Sequence, residues 1–324
     1  MKPRKLKLFF GFFPYGGVGS SSLECPTVRN WFCNTVLKAR NDERIESLLD
    51  KDFSDTPITA TRNEAVMAAQ AVSADVLILI DSDMKPDCEL GNDPLAKPFW
   101  ESSFDFLYRH YEQGPVVVGA PYCGPPPFSN VYAFRWANRR NDYPADMRLE
   151  AFTREEASAR SGIEEVAALP TGLIMYDMRA FDLISHPYFE YEWEGDGPPC
   201  LHCGCPKPGP RARKASTEDI VNTRDISQAG IIKLGYNPVH INWDSWAGHW
   251  KPDLVRKPQI LTADMVGRRL SEAVLSGRRS DERLIFLPER YEPDNVVRPV
   301  STISRPPFDL FPANYESKNA PAIG

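Results

Sequence analysis

Two acidic segments of this 324-residue chain carry side chains suited to binding a cation and moving a proton. The first is Asp81-Ser82-Asp83, and the second is Ser216-Thr-Glu218-Asp219. Carboxylates with one residue between them suit a hard divalent cation, which takes oxygen ligands and often shares them with substrate phosphates. The two segments together therefore predict chemistry on a nucleotide diphosphate.

The residues before Asp81 are Val-Leu-Ile-Leu-Ile. Five apolar residues in a row predict a buried parallel strand that ends at the two aspartates. In an open α/β sheet, ligands bind at the carboxyl ends of the strands, which favours a metal site here. The alternative is a polar strand end that caps the following turn.

The second acidic segment begins a predicted helix over 218–234, which Gly235 ends. Ser216 could be the N-cap with Asp219 as the third helical residue, in one form of capping box. A carboxylate held ionised at a helix start also suits a general base that takes a proton from a hydroxyl. The pattern leaves both roles open for Asp219.

His249 lies in Trp246-Ala-Gly-His249-Trp-Lys251, after a strand predicted at 238–242. It could be the third protein ligand of the metal, with Lys251 on a phosphate. The alternative is a histidine packed among tryptophans. The residues Tyr122, Phe128, Trp243 and Trp246 leave a similar choice, between an aromatic binding platform and a hydrophobic core.

The alternation of strands and helices over the first 120 residues predicts an α/β domain with a mostly parallel central sheet flanked by helices. Strands are predicted at 6–13, 44–49, 76–80, 116–120, 131–136, 172–176 and 238–242. Helices are predicted at 27–40, 62–72, 99–113, 218–234 and 262–276. We expect one domain over 1–251 and a helical, proline-rich extension over 252–324.

Composition narrows the classes of protein further. The net charge of −6 argues against a protein that coats nucleic acid. No run of eighteen apolar residues predicts a membrane span, and the basic, apolar start is better explained by a first core strand than by a signal peptide. Seven cysteines, an odd number, favour a reducing compartment and hence a cytoplasmic location.

A cysteine-rich segment precedes the second acidic motif. It could hold a structural Zn²⁺ through thiolate and imidazole ligands. The candidate ligands are Cys200, His202, Cys203 and Cys205. Their spacing is tighter than in ordinary zinc modules, so a metal-free loop is the alternative. The basic stretch 206–214 that follows could close over a diphosphate or be a solvated loop.

The order of these motifs resembles a glycosyltransferase of the GT-A fold, most similar to the family-2 type, over roughly residues 5–251. The matching stretches are Thr61-Arg-Asn-Glu-Ala, 75–83, Leu169-Pro-Thr-Gly-Leu, Thr217-Glu-Asp219 and Gly248-His249. The resemblance implies that Asp81 and Asp83 hold Mn²⁺ or Mg²⁺ and that His249 completes the metal site. It also implies that the Glu218-Asp219 motif supplies the catalytic base.

The resemblance further implies a nucleotide-diphosphate sugar as donor, with a UDP-sugar favoured, and an acceptor hydroxyl of unknown identity. We expect a single inverting displacement, with Gly172 leaving room for the sugar or acceptor. The residues expected to contact the nucleotide are Pro14, Tyr15, Arg62, Asp81, Ser82 and Lys251.

Other functions remain open. The Gln-x-x-Arg-Trp motif of processive polymerases is absent. A nucleotidyltransferase that makes an activated sugar is disfavoured because no basic residue follows Gly16–Gly19 until Arg29. A non-catalytic binding protein with the same fold is a second alternative, and glycosylation of modified DNA bases is a variant in which nucleic acid is the acceptor. The sequence predicts no oligomeric state.

Overall fold

A mixed sheet of seven strands forms the centre of the fold in the part of the chain that the computed structural model describes. The described residues are 4–14, 24–54, 57–124, 130–137, 147–194, 213–250 and 254–255. The strands are β1 (Leu6–Phe13), β2 (Ile45–Asp52), β3 (Val76–Asp81), β4 (Met84–Lys85), β5 (Val117–Gly119), β6 (Phe134–Trp136), β7 (Leu149–Ala151), β8 (Ile163–Glu165), β9 (Leu173–Asp177), β10 (Glu192–Glu194), β11 (Arg213–Ser216), β12 (Val239–Asn242), β13 (Gly248–Trp250) and β14 (Leu254–Val255). The α-helices are α1 (Val28–Arg40), α2 (Ile58–Ala71), α3 (Phe99–His110), α4 (Arg154–Ser158) and α5 (Glu218–Leu234).

The strand order of the central sheet is β2-β1-β3-β9-β5-β12-β8. Strands β2, β1, β3, β5 and β12 run in one direction, whereas β9 and β8 run against them. The predicted α/β class with a mostly parallel central sheet flanked by helices is therefore confirmed. The reversed direction of β9, between β3 and β5, was not predicted.

Helices cover both faces of the sheet, as the unbroken apolar run of β3 requires. The side chains of Leu77 and Leu79 pack in one cluster with α2 and α5, through residues such as Val66 and Ile226. The side chains of Val76, Ile78 and Ile80 belong to a second cluster. That cluster contains residues of α1 and α3, including Phe32 and Phe104. Strand β3 is thus buried on both faces, and its polar carboxyl end begins the first acidic motif.

Three smaller pairings surround the carboxyl ends of the parallel strands. Strands β14, β13 and β4 form an antiparallel sheet, and β6 pairs with β7, as β10 does with β11. Trp136 at the end of β6 donates an indole hydrogen bond to Ser227 on α5, with an Nε1–Oγ distance of 2.9 Å. This bond fixes the β6–β7 hairpin beside the middle of α5.

Helix α5 has the predicted bounds, and its capping differs from the prediction. Gly235 at its end has a φ of 79°, in the left-handed region that favours glycine. The N-cap is Thr217 and not Ser216, and the structure shows no side-chain capping hydrogen bond there. Asp219 is therefore the second helical residue, whereas the capping box with Ser216 as N-cap would need it to be the third.

All described residues belong to one compact unit. The predicted extension over 252–324, with its helix at 262–276, lies outside the described residues except for β14. Among the described helices, none combines the length and the apolar character needed to cross a membrane.

Candidate functional site

The first acidic motif begins at the last residue of β3, whose first five residues are buried. The Asp81 amide donates to the Gly172 carbonyl at 2.8 Å, and the Ser82 amide donates to the Phe13 carbonyl at 3.0 Å. The chain leaves the sheet directly afterwards, and Asp83 is 93% buried, with a relative exposure of 7%. Both neighbouring strands therefore hold the backbone that presents the two carboxylates.

Strand β13 places His249, which is distant in sequence, next to this motif. His249 is the register partner of Met84 in the β13–β4 pairing, and the Trp250 amide donates to the Asp83 carbonyl at 2.6 Å. The His249 Nε2 atom lies 3.2 Å from Asp83 Oδ2. Two residues 166 positions apart in the chain thus share one buried contact.

The hydrogen bonds of His249 determine which ring nitrogen is free for a cation. Its Nδ1 lies 3.0 Å from the Cys123 carbonyl oxygen, which can only accept, so Nδ1 carries a proton. In the neutral ring, Nε2 then presents a lone pair to a carboxylate oxygen, and the contact requires a proton or a metal ion between the two atoms. A metal-bound histidine usually donates its other N–H to a carbonyl in this way.

Arg62 on α2 joins the two acidic motifs. Its Nη2 donates to Asp81 Oδ2 at 2.8 Å, and its Nη1 donates to Glu218 Oε1 at 2.8 Å. Burial opposes the charge on Arg62, whereas Asp81, Asp219 and Glu218 raise its pKa above the usual range. The guanidinium is therefore a charged link between β3 and the start of α5.

Asp81 keeps one oxygen without a partner. Its Oδ1 atom is buried and accepts no hydrogen bond within the described part of the chain. Burial raises the pKa of Asp81, Arg62 lowers it, and Asp83 raises it again, giving a pKa of about 6. A buried carboxylate oxygen without a hydrogen-bond donor suits a bound cation, which would take the place of that donor.

Asp219 lies half-buried on the first turn of α5. Its Oδ1 accepts the Ile220 amide at 2.9 Å, as expected for an anion near the positive end of a helix. Burial raises the pKa of Tyr122 well above its usual value, and the charges of Asp219 and Asp81 raise it further. Asp219 therefore belongs to the same electrostatic site as the first motif.

An open cleft of about 820 Å³ lies against Asp219, between α5 and the β6–β7 hairpin. Aromatic side chains line one part of it, and charged side chains line another. The lining residues are Tyr132, Phe134, Met147, Arg148, Leu149, Glu192, Ser216, Thr217, Asp219, Ile220 and Arg224. The cleft gives a substrate direct access to the Asp219 carboxylate.

The residues of the first motif fit a divalent cation in part. No group of three or more His, Cys, Asp and Glu side chains is placed to hold a metal ion among the described residues. Asp83 and His249 form a pair, and Asp81 contributes one uncommitted oxygen beside them. Mg²⁺ is usually held by one or two carboxylates together with substrate phosphates and water, so such an incomplete set is compatible with it.

The packing around Arg62 and Gly172 bears on two predictions about the nucleotide site. Arg62 was expected to reach the diphosphate, but its side chain is only 4% exposed and both of its terminal nitrogens bind carboxylates. Gly172 was expected to leave room for a sugar. A Cβ there would lie 2.9 Å from the Tyr122 hydroxyl and 3.0 Å from the Met84 sulfur, so the glycine is needed for internal packing.

The remaining predicted residues divide into three sets. Glu218 is buried against Arg62, so Asp219 is the carboxylate of the second motif that faces the cleft. Pro14 is half-buried at the end of β1, and Ser82 is buried. The residues outside the described part of the chain are Tyr15, Phe128, Lys251, Cys200, His202, Cys203, Cys205 and the loop 197–212.

The aromatic residues expected near the strand ends are core residues. Tyr122, Trp243 and Trp246 are at most 5% exposed, and the two tryptophan rings pack with centroids 5.9 Å apart. The aromatic residues that do line the cleft, Tyr132 and Phe134, were not predicted. Their alternating positions, two residues apart on one face of an extended segment, are the signal that was available.

Comparisons with known proteins find similarity at the level of the fold. Neither family profiles nor the curated protein sequences match the chain. The crystal structure of A197 from STIV superimposes with a TM-score of 0.40 and 15% identity, over 78% of this chain and 95% of A197. The crystal structure of GalNAc-T7 with UDP, GalNAc and Mn²⁺ superimposes with a TM-score of 0.32 and 14% identity, over 77% of this chain. The match spans 44% of the GalNAc-T7 chain.

Proposed function

We propose that the chain is a metal-dependent glycosyltransferase that moves a sugar from a nucleotide-diphosphate sugar to an acceptor hydroxyl. The observation that carries the proposal is the meeting of Asp81, Asp83, His249 and Asp219 at one end of the sheet, beside an open cleft. No pair of these residues is closer in sequence than two positions, and most are far apart, so the fold assembles the group.

The charges at this end of the sheet call for a cation. Asp81 and Glu218 share the guanidinium of Arg62, Asp83 faces His249, and Asp219 lines the cleft. A nucleotide diphosphate would add further negative charge, which this surface would repel without a counter-ion. A divalent cation would satisfy both the protein and the donor.

In the proposal, Asp83 and His249 hold this cation, with the free Oδ1 of Asp81 directly or through water. The ion, when bound, acts as a Lewis acid that neutralises the leaving diphosphate. The protein contributes the fixed orientation of the ligands: the β13–β4 pairing holds His249, and the Cys123 carbonyl keeps the Nδ1 proton away from the Asp83 side. Mn²⁺ and Mg²⁺ both suit this ligand set.

Asp219 is the proposed general base. It is the carboxylate of the second motif that lines the cleft, and its neighbour Glu218 is committed to Arg62. An acceptor hydroxyl in the cleft would lose its proton to Asp219 as it attacks the anomeric carbon. A base separate from the metal-binding residues favours a single inverting displacement. A UDP-sugar is the favoured donor, and the acceptor is a hydroxyl of unknown identity. The cytoplasmic location and the structural zinc stay predictions from the sequence.

A panel of nucleotide sugars tests the proposal. Each donor is incubated with the protein and Mn²⁺, and the release of nucleotide diphosphate and the thermal stability are measured. We expect one donor to be turned over and, at 100 times its dissociation constant, to add roughly 2.7 kcal/mol to the free energy of unfolding. Asp83→Asn should abolish both effects.

The exposed Asp182 provides the control, because Asp182→Asn removes the same charge from a residue away from the site. This variant should behave like the parent. If no nucleotide sugar is turned over and none stabilises the parent protein with Mn²⁺ or Mg²⁺, the proposed function is wrong.

A further inference from the structure

Arg62 occupies a position that the proposed chemistry does not use directly. Its guanidinium binds Asp81 on β3 through one nitrogen and Glu218 on α5 through another, both at 2.8 Å. The side chains of Arg62 and Glu218 are 4% and 8% exposed. One buried cation therefore connects the strand that carries the first motif to the helix that carries Asp219.

The surroundings of Arg62 hold it in this position. The guanidinium carbon lies 6.0 Å from the Phe13 ring centroid and 5.9 Å from that of Phe189. The next residue, Asn63, anchors Phe189 in turn: its Nδ2 donates to the Phe189 carbonyl at 2.8 Å, and its Oδ1 accepts the Phe189 amide at 3.2 Å. The side chain is enclosed, so it has no open path to a ligand in this structure.

The Arg62 contacts also control which carboxylate atoms are available. Only Oδ2 of Asp81 is bound, and Oδ1 is left buried without a partner within the described residues. On α5, Glu218 is bound at the first helical residue, so the following residue, Asp219, begins from a fixed backbone position. A two-pronged planar cation suits this task, since it can bind two carboxylates at once in a defined geometry.

We infer that Arg62 is a positioning residue, which orients the Asp81 carboxylate and holds the first turn of α5 against it, so that Asp219 is set relative to the metal-binding residues. The inference rests on the proposed function, because the role of this positioning in catalysis assumes that function. The contacts themselves do not depend on it. Arg62 acts through Asp81 and Glu218 and does not contact the donor.

The test replaces Arg62 by lysine, which keeps the charge and loses the fork. A single ammonium on a shorter side chain cannot hold both carboxylates in the same geometry. Amide hydrogen exchange at Val221 and Asn222 reports the first turn of α5. We expect exchange there to become roughly tenfold faster or more in Arg62→Lys, because local opening costs less free energy.

Arg179→Lys is the matched control. Arg179 also forks onto an aspartate, Asp177, through Nε at 2.9 Å and Nη2 at 2.5 Å. Its Nη2 atom also donates to the carbonyl oxygens of Tyr111 and Gly114, which belong to neither acidic motif, so this variant should leave exchange at Val221 and Asn222 unchanged. A second measurement, the calorimetric affinity for Mn²⁺ without donor, should fall in Arg62→Lys and not in Arg179→Lys.

Glu218→Gln keeps the test decisive if Arg62→Lys does not fold. The amide oxygen can still accept from Arg62, so the variant should fold and show a smaller increase of exchange at Val221 and Asn222. Parent-like exchange at these amides in Glu218→Gln, or in a folded Arg62→Lys, overturns the inference. So does a loss of UDP affinity in EDTA for Arg62→Lys, which would assign Arg62 to the phosphates. A failed donor panel would reject the proposed function and leave the exchange result standing.

Discussion

Carboxylates lie at both ends of the central strands, but the two ends differ in the partners that these carboxylates have. At the amino end of β3, Asp75 accepts hydrogen bonds from Arg4 Nη2 at 2.9 Å, from the Lys7 amide at 2.8 Å and from the Tyr111 hydroxyl at 3.1 Å. The neighbouring Asp177, at the end of the antiparallel β9, accepts hydrogen bonds from the backbone amide, Nε and Nη2 of Arg179. Each carboxylate at this end has its own guanidinium.

At the carboxyl end of β3, two carboxylates share one guanidinium. Arg62 is shared between Asp81 and Glu218, Asp83 faces a histidine, and Asp219 opens onto the cleft. One Asp81 oxygen is buried without a partner in the described part of the chain. At the first end, which we call the satisfied end, each aspartate has its own guanidinium, and this network stabilises the fold. At the other end, which we call the cation-deficient end, two carboxylates share one guanidinium. The second arrangement is what a ligand-binding site requires.

The sharpest way to break this comparison is Asp83→Asn. We expect loss of nucleotide-sugar turnover on the order of 10²-fold or more, because the variant removes a charged ligand of the cation that stabilises the leaving group. Thermal stability should be kept or raised, since the substitution relieves repulsion with Asp81. Initial rates with Mn²⁺ and a thermal melt check both expectations, with Asp182→Asn as control. Full parent activity in excess EDTA would contradict the metal proposal.

Asp219→Asn tests the other half of the cation-deficient end. The variant should bind the donor like the parent and lose transfer by on the order of 10²-fold, the usual scale for loss of a general base. Asp225→Asn, on the same helix and paired with Arg224, is the matched control and should keep the parent rate. Transfer by Asp219→Asn at the parent rate would reduce Asp219 to a residue that stabilises the helix start.

Asp177→Asn tests the satisfied end. We expect the free energy of unfolding to fall by about 2 kcal/mol, the scale of a hydrogen bond to a charged group, because Arg179 loses its carboxylate partner. Mn²⁺ affinity and turnover should stay at the parent level, since no contact links this aspartate to the opposite end of the strand. Chemical denaturation and calorimetry measure the two quantities. A stability equal to the parent, or a change in metal affinity, would remove the distinction between the two ends.

A pair of tyrosine variants gives the smallest effect. Tyr111→Phe removes the hydrogen bond to Asp75 and should lower the free energy of unfolding by about 1 kcal/mol. Tyr122→Phe should cost less, because the side-chain contacts of Tyr122 in the described part of the chain are ring contacts with Tyr132 and His249, which phenylalanine keeps. Denaturation curves of the two variants, measured side by side, give the difference. A larger cost for Tyr122→Phe would show that the carboxyl end also contributes a stabilising network.

Local patterns in the sequence were sufficient for much of the fold. The apolar run of β3, the spacing of Val28, Phe32 and Val36 on α1, and Gly235 after α5 each depend on neighbours in the chain. Helix α2 begins at Ile58, four residues before its predicted start, because its N-cap is Pro57, which has no capping side chain to mark the helix start. The antiparallel insertion of β9 depends on pairing across about a hundred residues, which no local pattern shows.

The candidate site also combines features that local sequence patterns predict with features that depend on long-range packing. Asp81, Asp83, Asp219 and His249 were selected by residue type and order, and the structure places His249 beside Asp83. The reason for that contact, the pairing of β13 with β4, was not predicted, because a two-residue strand leaves almost no pattern. Arg62 was assigned to the donor because a cation beside acidic motifs suggests a phosphate. Its burial between two carboxylates follows only from the packing of α2 against the sheet.

The position of β9 also has a consequence for synthesis of the chain on the ribosome. Strand β3 ends at residue 81 and β5 at 119, yet the strand between them ends at residue 177. Until that stretch has emerged, β3 and β5 both present unpaired edges, and the edge of β3 is wholly apolar before Asp81. Such edges attract other chains, and distant pairing slows folding. Slower translation between the codons for residues 81 and 177 should therefore lower the yield of folded protein, because it lengthens the time for which these edges are unpaired.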